Sequence, residues 1–424
     1  RLVSIGLLLV AILGAVTSWF VPNAPAADPD LLVQWNPIPP TVSVWRQMLE
    51  NRPVYLSILG ASWFWFFGSA VLSLLPIYCK NVLFANEQVT TFFLAAFSVG
   101  VAIGSLICNR LSRHRLELGL VPFGSILLSI FMVILGLFSV QATAASPLGL
   151  IDLSVFLGSA RGIFLAFTFM LLAVSGGLYI VPLMTLIQER SDNAIRSRVI
   201  AGGNILNALF MVVASLMCMV LLKIGLSVPQ IFLVIAVLNL LVATYIYLLL
   251  PEFLLRFYSW ILSSVFYRLD VEGLENIPSH GPIVVVCNHI SFIDWLIVFG
   301  ALKRPVRFVM DFSFTKNPFV KFTAKQAKVI PIATKSEDPK VLREAFDKIK
   351  SELHGGEVIC IFPEGKITFD GKMNSFKRGI ETIIQDTPVP VIPMALDGLW
   401  GGLYSRIDHE KPWYKRRVKP WAKV

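Results

Sequence analysis

Apolar residues follow two different rhythms along the 424-residue chain. Up to Leu250 they form long, nearly uncharged runs. Beyond it they break into short β-branched stretches separated by stripes of helical spacing. Seven of the long runs, near residues 2–21, 54–76, 90–109, 119–140, 162–186, 199–222 and 229–250, match the ~20 residues a helix needs to cross a bilayer. The stretch VPNAPAADPDLLVQWNPIPP between the first two is too dense in proline to continue either helix. PEFLLRFYSWILSSVFYR (Pro251–Arg268) carries too much charge for a clean span, yet it holds Phe253, Phe257, Tyr258, Trp260, Phe266 and Tyr267. Rings with polar edges favour the headgroup level, which predicts an interfacial linker helix over 251–268. A helix packed on the following domain is the alternative.

Beyond residue 268 the apolar period shortens. PIVVVCN, VRFVM, KVIPI, EVICIF and VPVIPMAL read as strands. Val341, Leu342, Ala345, Ile349 and Leu353 give PKVLREAFDKIKSELHGG helical spacing, with Gly355 and Gly356 as its stop. The expected architecture is a multi-pass α-helical membrane domain over 1–250, followed by an α/β domain over 269–424 that is cut short within a basic tail. The opening at Arg1 lacks an initiator methionine, a basic n-region and a small-residue cleavage site. It reads as a piece of a longer protein rather than a signal peptide.

Composition supports a lipid setting. Hydrophobic residues make up 55% and charged residues 15%, with a mean hydropathy of +0.70, against about 25% charged in soluble globular chains. Residues 1–250 hold 12 Lys+Arg and 8 Asp+Glu, while 251–424 hold 25 and 19, so the second part carries +6 of the formal +10. A basic domain beside a membrane suits anionic lipid or an acidic carrier protein and argues against nucleic acid. Cys79, Cys108, Cys218, Cys287 and Cys360 form no CxxC pair, so neither a disulfide framework nor a zinc site is supported, and no bound metal or cofactor is expected. Loop charges set the orientation. Arg46, Arg52, Arg110, Arg113, Arg115, Arg190, Arg196 and Arg198 gather on one face, against Arg1, Lys80, Arg161 and Lys223 on the other. The richer face is expected to be cytoplasmic, which makes everything after Leu250 cytosolic.

Two constellations could carry chemistry. In VVVCNHISFIDWLIVFG (Val284–Gly300), a strand ending at Cys287 and a helix starting soon after would set His289 at the carboxyl edge of the strands, where α/β sheets place their sites. Asp294 in the first helical turn would reach one ring nitrogen and leave the other as a general base. Ser291-Phe-Ile-Asp294 also reads as a capping box, so Asp294 serves either as a cap alone or as cap and orienter. In CIFPEGKIT (Cys360–Thr368), Pro363 and Gly365 impose a turn, Glu364 offers an acceptor and Lys366 a compact cation suited to phosphate. An ordinary strand-exit loop is the plain alternative. Lys321, Lys325 and Lys328 would line one helix face, toward anionic headgroups, an acyl carrier protein, or solvent alone.

Together these motifs resemble the glycerolipid acyltransferases of the lysophosphatidate acyltransferase type. The family's N-H-x-x-x-x-D is matched by Asn288, His289 and Asp294, and its F-P-E-G by Phe362, Pro363, Glu364 and Gly365. Its valine-proline run is similar to Pro388–Met394 and its F-K-x-G to Phe376-Lys-Arg-Gly379, so the resemblance covers roughly 265–420. Two positions depart. Lys366 and Ile367 stand where the family carries Thr or Ser and then Arg, and AKVIPIAT has Ala333 and Thr334 where an arginine is usual, leaving Lys328 or Lys335 as substitutes. A basic residue followed by Ile-Thr after FPEG is similar to the 2-acylglycerophosphoethanolamine acyltransferase branch. The resemblance implies acyl transfer from a thioester, with His289 as base and Asp294 as its orienter. Asn288, Ser291, Phe362, Pro363, Glu364, Gly365, Lys366 and Lys377 are the substrate-binding set it suggests.

GSLICNRLSRHRLELGLVP (Gly104–Pro122) is similar to the arginine-rich link found in each half of major facilitator transporters. RSDNAIRSRVIAGGN (Arg190–Asn204) is similar to what that superfamily places two spans later. One span, a long loop and six more resemble spans six to twelve of such a carrier. SWFWFFGSAVLSLLPIY (Ser62–Tyr78) resembles the seventh span of bacterial lysophospholipid transporters, some of which are fused to an acyltransferase. Asn204 and Asn207 are candidate transport residues, with helix-packing hydrogen bonds as the alternative.

The expected protein is a bacterial cytoplasmic (inner) membrane carrier that brings lysophospholipid, foremost the ethanolamine form, to the inner leaflet. Its cytosolic domain would reacylate that lipid from acyl-ACP or acyl-CoA. Acyl carrier protein or a CoA thioester, and a fused or separate acyl-ACP synthetase, are the implied partners. One rival is a membrane-anchored enzyme that makes phosphatidate; another is a carrier of some other solute with a regulatory acyltransferase-like domain. The intact histidine, aspartate and FPEG set argues against the second rival, and a span count beyond an anchor's need argues against the first.

Overall fold

The long apolar runs become helices whose lengths separate them into two classes. The computed structural model describes residues 2–22, 36, 38–112, 116–139, 149–249, 251–262, 266–278, 280–302, 304, 306–316, 321, 324, 327–408 and 422–423. The chain divides into two units, Arg1–Arg46 and Gln47–Val424. In the first, helix α1 (Leu2–Ser18) has 17 residues, about 25 Å at 1.5 Å per residue. The chain then tightens to i→i−3 hydrogen bonds at Trp19, Phe20 and Val21 and reaches Pro22. The first of the seven expected spans is therefore a helix shorter than the ~30 Å hydrocarbon core. Most of the proline-rich loop after it lies outside the described residues. Helix α2 (Ile38–Glu50) crosses the unit boundary, with Pro39 and Pro40 in its first turn, where a missing N–H breaks no helical bond.

In the second unit six helices are long and apolar enough to cross a membrane: α3 (Arg52–Asn81), α4 (Glu87–Leu111), α5 (Leu120–Phe138), α7 (Ala160–Arg190), α8 (Arg196–Lys223) and α9 (Val228–Leu249). The short α6 (Leu153–Gly158) leads into α7. Side chains of Asn51, Asn86 and Ser159 cap α3, α4 and α7 by accepting first-turn N–H groups. Helices α4 and α7 approach closely, and small residues make this possible. A Cβ on Gly104 would stand 2.1 Å from the Val174 carbonyl oxygen, and one on Gly177 2.6 Å from that of Val101.

Polar side chains inside the bundle tie helices together. Ser62 Oγ of α3 lies 2.8 Å from the amide of the buried Asn207 of α8, whereas Asn204 lies on the exposed face. Asn239 of α9, not singled out in the sequence, accepts from Trp63 Nε1 at 2.8 Å and donates to the Ser125 carbonyl at 3.0 Å and Ser129 Oγ at 2.8 Å. Its amide joins α3, α5 and α9.

Helix α10 (Pro251–Ile261) makes the protein contacts of the alternative reading, a helix packed on the following domain. It packs against α5 and α9 on one side and against α11 (Asp294–Ala301) of the following domain on the other. Phe253, Arg256, Ser259 and Trp260 are buried in protein contacts, while Tyr258 and Phe266 remain exposed. Its rings serve protein packing because both neighbours present apolar faces to it.

The second domain is an α/β layer structure. Strands β2 (Ile283–Cys287), β3 (Val306–Asp311), β4 (Ile330–Ile332), β5 (Val358–Ile361) and β6 (Val391–Met394) form a parallel sheet of order β4-β3-β5-β2-β6. Preceding it, β1 (Tyr267–Arg268) pairs with β7 (Ala422–Lys423). Central β2 and β5 are apolar on both faces because both are covered. Ile283, Val285 and Cys287 join the cluster with α11, while Val284 packs toward α12 (Pro339–His354) and α13 (Gly379–Asp386). The expected basic stripe does not form one helix: Lys328 sits in a turn at φ 49°, and Lys325 lies outside the described residues. Lys328 also precedes β4, so it stands at the amino edge of the sheet. There, after Lys348 and Arg307, its charge helps hold the Glu352 carboxyl below the usual range.

Gly104→Leu is expected to force α4 from α7 and destabilise the bundle by about 1–3 kcal/mol or more. Gly14→Leu, at a position with open space around it, leaves stability unchanged. Thermal unfolding of both variants in detergent measures the difference.

Candidate active site

Parallel register brings the two motifs together. Val286 of β2 pairs with Ile361 of β5, and Cys287 with Met394 of β6, so three strand ends finish side by side. The residues just beyond, Asn288 and His289, Phe362 to Gly365, and Leu396, therefore share one carboxyl edge. Chain positions 75 apart meet directly: the His289 backbone N–H donates to Glu364 Oε1 at 2.8 Å.

His289 is oriented from both sides. Its Nδ1 lies 2.8 Å from Asp294 Oδ2, and its ring stacks on Phe362 with centroids 4.3 Å apart and planes 19° from parallel. The carboxylate fixes Nδ1 as the protonated nitrogen and leaves Nε2 with a free lone pair. The side chain keeps 20% of its surface exposed, whereas Asp294 is wholly buried. The same Asp294 oxygen also accepts the backbone N–H groups of Ile290 at 2.6 Å and Ser291 at 2.9 Å. The expected capping box is thus half formed. The acid reaches back to the Ser291 N–H, but Ser291 Oγ accepts from Ile293 N at 3.3 Å rather than from Asp294.

Several residues expected to touch substrate are committed elsewhere. The Asn288 amide donates to the Leu396 carbonyl at 2.9 Å and accepts its N–H at 2.7 Å, bolting β2 to the segment after β6. Ser291 is buried, and its hydroxyl donates to the Tyr404 carbonyl at 3.2 Å. Glu364 is buried too; its second oxygen accepts from both Asn374 nitrogens, backbone and amide, at 2.7 Å. These three side chains act as braces: Ser291 and Glu364 are buried, and both ends of the half-buried Asn288 amide are taken by Leu396. Pro363 is buried, and its carbonyl accepts the Lys377 N–H at 2.8 Å.

The FPEG turn closes through Gly365 N–H to the Phe362 carbonyl at 2.9 Å, with Gly365 at φ 64°. The space a Cβ would fill there holds the Lys377 chain, whose Nζ comes within 2.6 Å of that point. The backbone angle is what favours glycine here, and the Lys377 chain occupies the space left free. Lys366 and Lys377 are both exposed at this rim. Lys335 follows β4 at the same edge, and the nearby Glu337 responds to the charge of Lys377. Lys328 is excluded from this group by its place at the opposite edge.

Burial pushes the Cys287 thiol up to about 12, with the Asp294 charge adding to it, and burial raises Cys360 further. Neither offers a thiolate as a nucleophile. Among the described residues no cluster of three or more His, Cys, Asp or Glu side chains could hold a metal ion. The arrangement can take a proton at His289 Nε2 beside a rim of mobile cations.

Comparison with known proteins agrees with this chemistry. Residues 268–397 match the acyltransferase family, and residues 6–158 match a family described as transmembrane secretion effectors. The two family matches thus fall on different parts of the chain, one on the apolar helices and one on the α/β domain. The chloroplast 1-acyl-sn-glycerol-3-phosphate acyltransferase of Arabidopsis thaliana is 31% identical over 148 residues, covering 35% of this chain and 41% of that protein. The lysophospholipid transporter LplT of Klebsiella pneumoniae is 27% identical over 182 residues, covering 42% of this chain and 40% of that protein. The crystal structure of the acyltransferase PlsC from Thermotoga maritima is 25% identical, covering 43% of this chain and 66% of that one at a TM-score of 0.31. The chain thus spans about two fifths of each of the two curated relatives.

Glu364→Ala is expected to leave the His289 and Asn374 N–H groups without their acceptor, costing about 1–3 kcal/mol or more. Thermal unfolding and proteolysis of the 364–374 loop measure the loss.

Proposed function

We propose that this membrane protein moves lysophospholipid to one leaflet and reacylates it there from an acyl thioester. The observation that carries the enzymatic half is the 2.8 Å contact of His289 Nδ1 with a buried carboxylate, at the shared carboxyl edge of β2 and β5. His289 Nε2 takes the proton of a free glycerol hydroxyl as that oxygen attacks the thioester carbonyl. The carbon–sulfur bond then breaks, and the imidazolium returns the proton to the departing thiolate. Asp294 stabilises the imidazolium between these two steps. Lys366, Lys377 and Lys335 supply cations at the rim for the phosphate of the acceptor.

The transporter half is supported by the likeness to a protein named as a lysophospholipid transporter. Delivery beside the acylating site raises the acceptor's effective concentration without any new contact. In this reading the protein sits in a bacterial inner membrane with its α/β domain in the cytosol, and acyl-ACP or acyl-CoA is the donor. The ethanolamine lysophospholipid is the first acceptor to test. Lysophosphatidate is the second, because the acyltransferase relatives carry names for that acceptor.

His289→Ala is expected to slow acyl transfer by about 10² to 10⁴ while lysophospholipid movement in proteoliposomes continues. A panel of lysophospholipid acceptors with purified full-length protein measures the first, and a fluorescent lysolipid the second. Unchanged acylation by the variant would sink the base assignment; a chain that never moves lipid would leave only a membrane-anchored enzyme.

A further inference from the structure

The α/β domain contains a cation that its own fold leaves unanswered. Arg406 lies in the segment after β6, which returns to the His289 loop. Ser291 and Ser405 form an antiparallel bridge, and Phe292 N–H donates to the Tyr404 carbonyl at 3.1 Å. From there the Arg406 guanidinium is laid over the Phe369 ring at 4.2 Å and toward the Phe292 ring at 5.8 Å. Both rings belong to the site. Phe292 is three residues after His289, and Phe369 follows Thr368, whose N–H donates to the His289 carbonyl at 2.9 Å.

Three other arginines of this half find protein acceptors, although Arg307 Nε itself is buried without a hydrogen bond. Arg304 donates to the carbonyls of Pro278, Gly281 and Gly356, Arg307 pairs with Glu352 and Glu357, and Arg256 donates to the Phe299 and Leu302 carbonyls. Arg406 meets no acceptor among the described residues, and its Nε is buried without a partner. A half-buried cation that meets no counter-charge among the described residues is held at a cost. Contact with the Phe369 ring, with Phe292 further off, lowers that cost and orients the fork, which leaves its terminal nitrogens for a bidentate anion. The exposed lysines of the rim supply point charges on flexible stems, whereas Arg406 supplies a pre-oriented one.

We propose that Arg406 binds the phosphate of the acceptor lipid and selects phosphate-bearing acceptors over neutral ones. The assignment rests on the acyltransferase reading above and deepens it. Phosphate esters occur on both acceptor and donor, since CoA and the carrier's prosthetic arm carry them too. The proposal commits to the acceptor, because Arg406 is tied to the His289 loop, where the attacked hydroxyl must lie within one glycerol unit of its phosphate.

The test compares lysophosphatidylethanolamine with monoacylglycerol, which presents the same hydroxyls without phosphate, at fixed acyl donor. Arg406→Gln is expected to lower kcat/KM for the lysophospholipid about 10- to 100-fold, chiefly through KM, and to leave the monoacylglycerol rate unchanged. Arg406→Lys keeps the charge without the fork and falls between. Phe369→Leu, at a ring 65% exposed, removes one stacking face without touching the cation and shifts the ratio the same way by less. Equal losses with both acceptors, or a higher KM for acyl-CoA alone, would overturn the acceptor assignment. So would an unchanged ratio in all three variants. Failure of the unmutated chain to acylate any lysophospholipid would instead overturn the function itself.

Discussion

Three donors converge on one oxygen of a carboxylate that is cut off from water. Asp294 Oδ2 receives the imidazole of His289 and the backbone N–H groups of Ile290 and Ser291, while Oδ1 has no partner among the described residues. Burying a charge this fully costs several kcal/mol. What offsets it is local: charge-assisted donors and a place in the first turn of α11, where the helix end favours a negative group. The loop from Cys287 to Ile293 is therefore wound around the carboxylate. The position of His289 follows from where α11 begins.

The far end of the same short helix is fixed by the membrane-side neighbour. Arg256 of α10 donates to the last carbonyls of α11, at Phe299 and Leu302, and stacks over the Phe299 ring at 4.4 Å. Ser259 donates to the Leu296 carbonyl at 2.9 Å and lies so close to Gly300 that no Cβ fits between them. On its other side α10 meets the turn before α5, where a Cβ on Gly119 would come within 2.7 Å of the Arg256 carbonyl. Burial raises the pKa of Glu117 in that turn, and Arg256 works against the rise. The chain from the bundle to His289 is thus α5, α10, α11 and Asp294, with each link a named contact.

Much of this was legible in the sequence, for physical reasons. Strands buried on both faces read as unbroken β-branched runs, so β2 and β5 could be found, and the helix at Pro339–His354 followed from its spacing and its glycine stop. Spacing also pointed to the pairing of His289 with Asp294. What stayed hidden depends on contacts across the chain. Nothing in the aromatics of 251–268 says whether a ring faces lipid or protein, so the burial of Phe253 and Trp260 beside the exposed Tyr258 could not be read from the sequence. The edge to which a lysine belongs depends on which end of a strand it adjoins, and Lys328 fell at the wrong end. Arg406 has no periodicity around it at all. It reaches the site only because Ser405 pairs with Ser291, a register no local pattern encodes.

The motif letters also conceal a division of labour that burial reveals. Ser291, Glu364 and Asp294 lie in the same two motifs as His289 and Lys366, yet they are buried and bonded within the protein, and the half-buried Asn288 amide is held by Leu396. A buried polar group must be paired, and pairing leaves little capacity for a ligand that comes and goes. These side chains gain their value by making the loops rigid, so that the His289 ring needs no reorganisation when a hydroxyl arrives. In the proposed reaction the groups with open faces are the imidazole edge, the lysines at the rim, and Arg406 beside Phe369. Gly365 joins the two sets: its positive φ shapes the FPEG turn, and the Lys377 chain lies over it toward that rim.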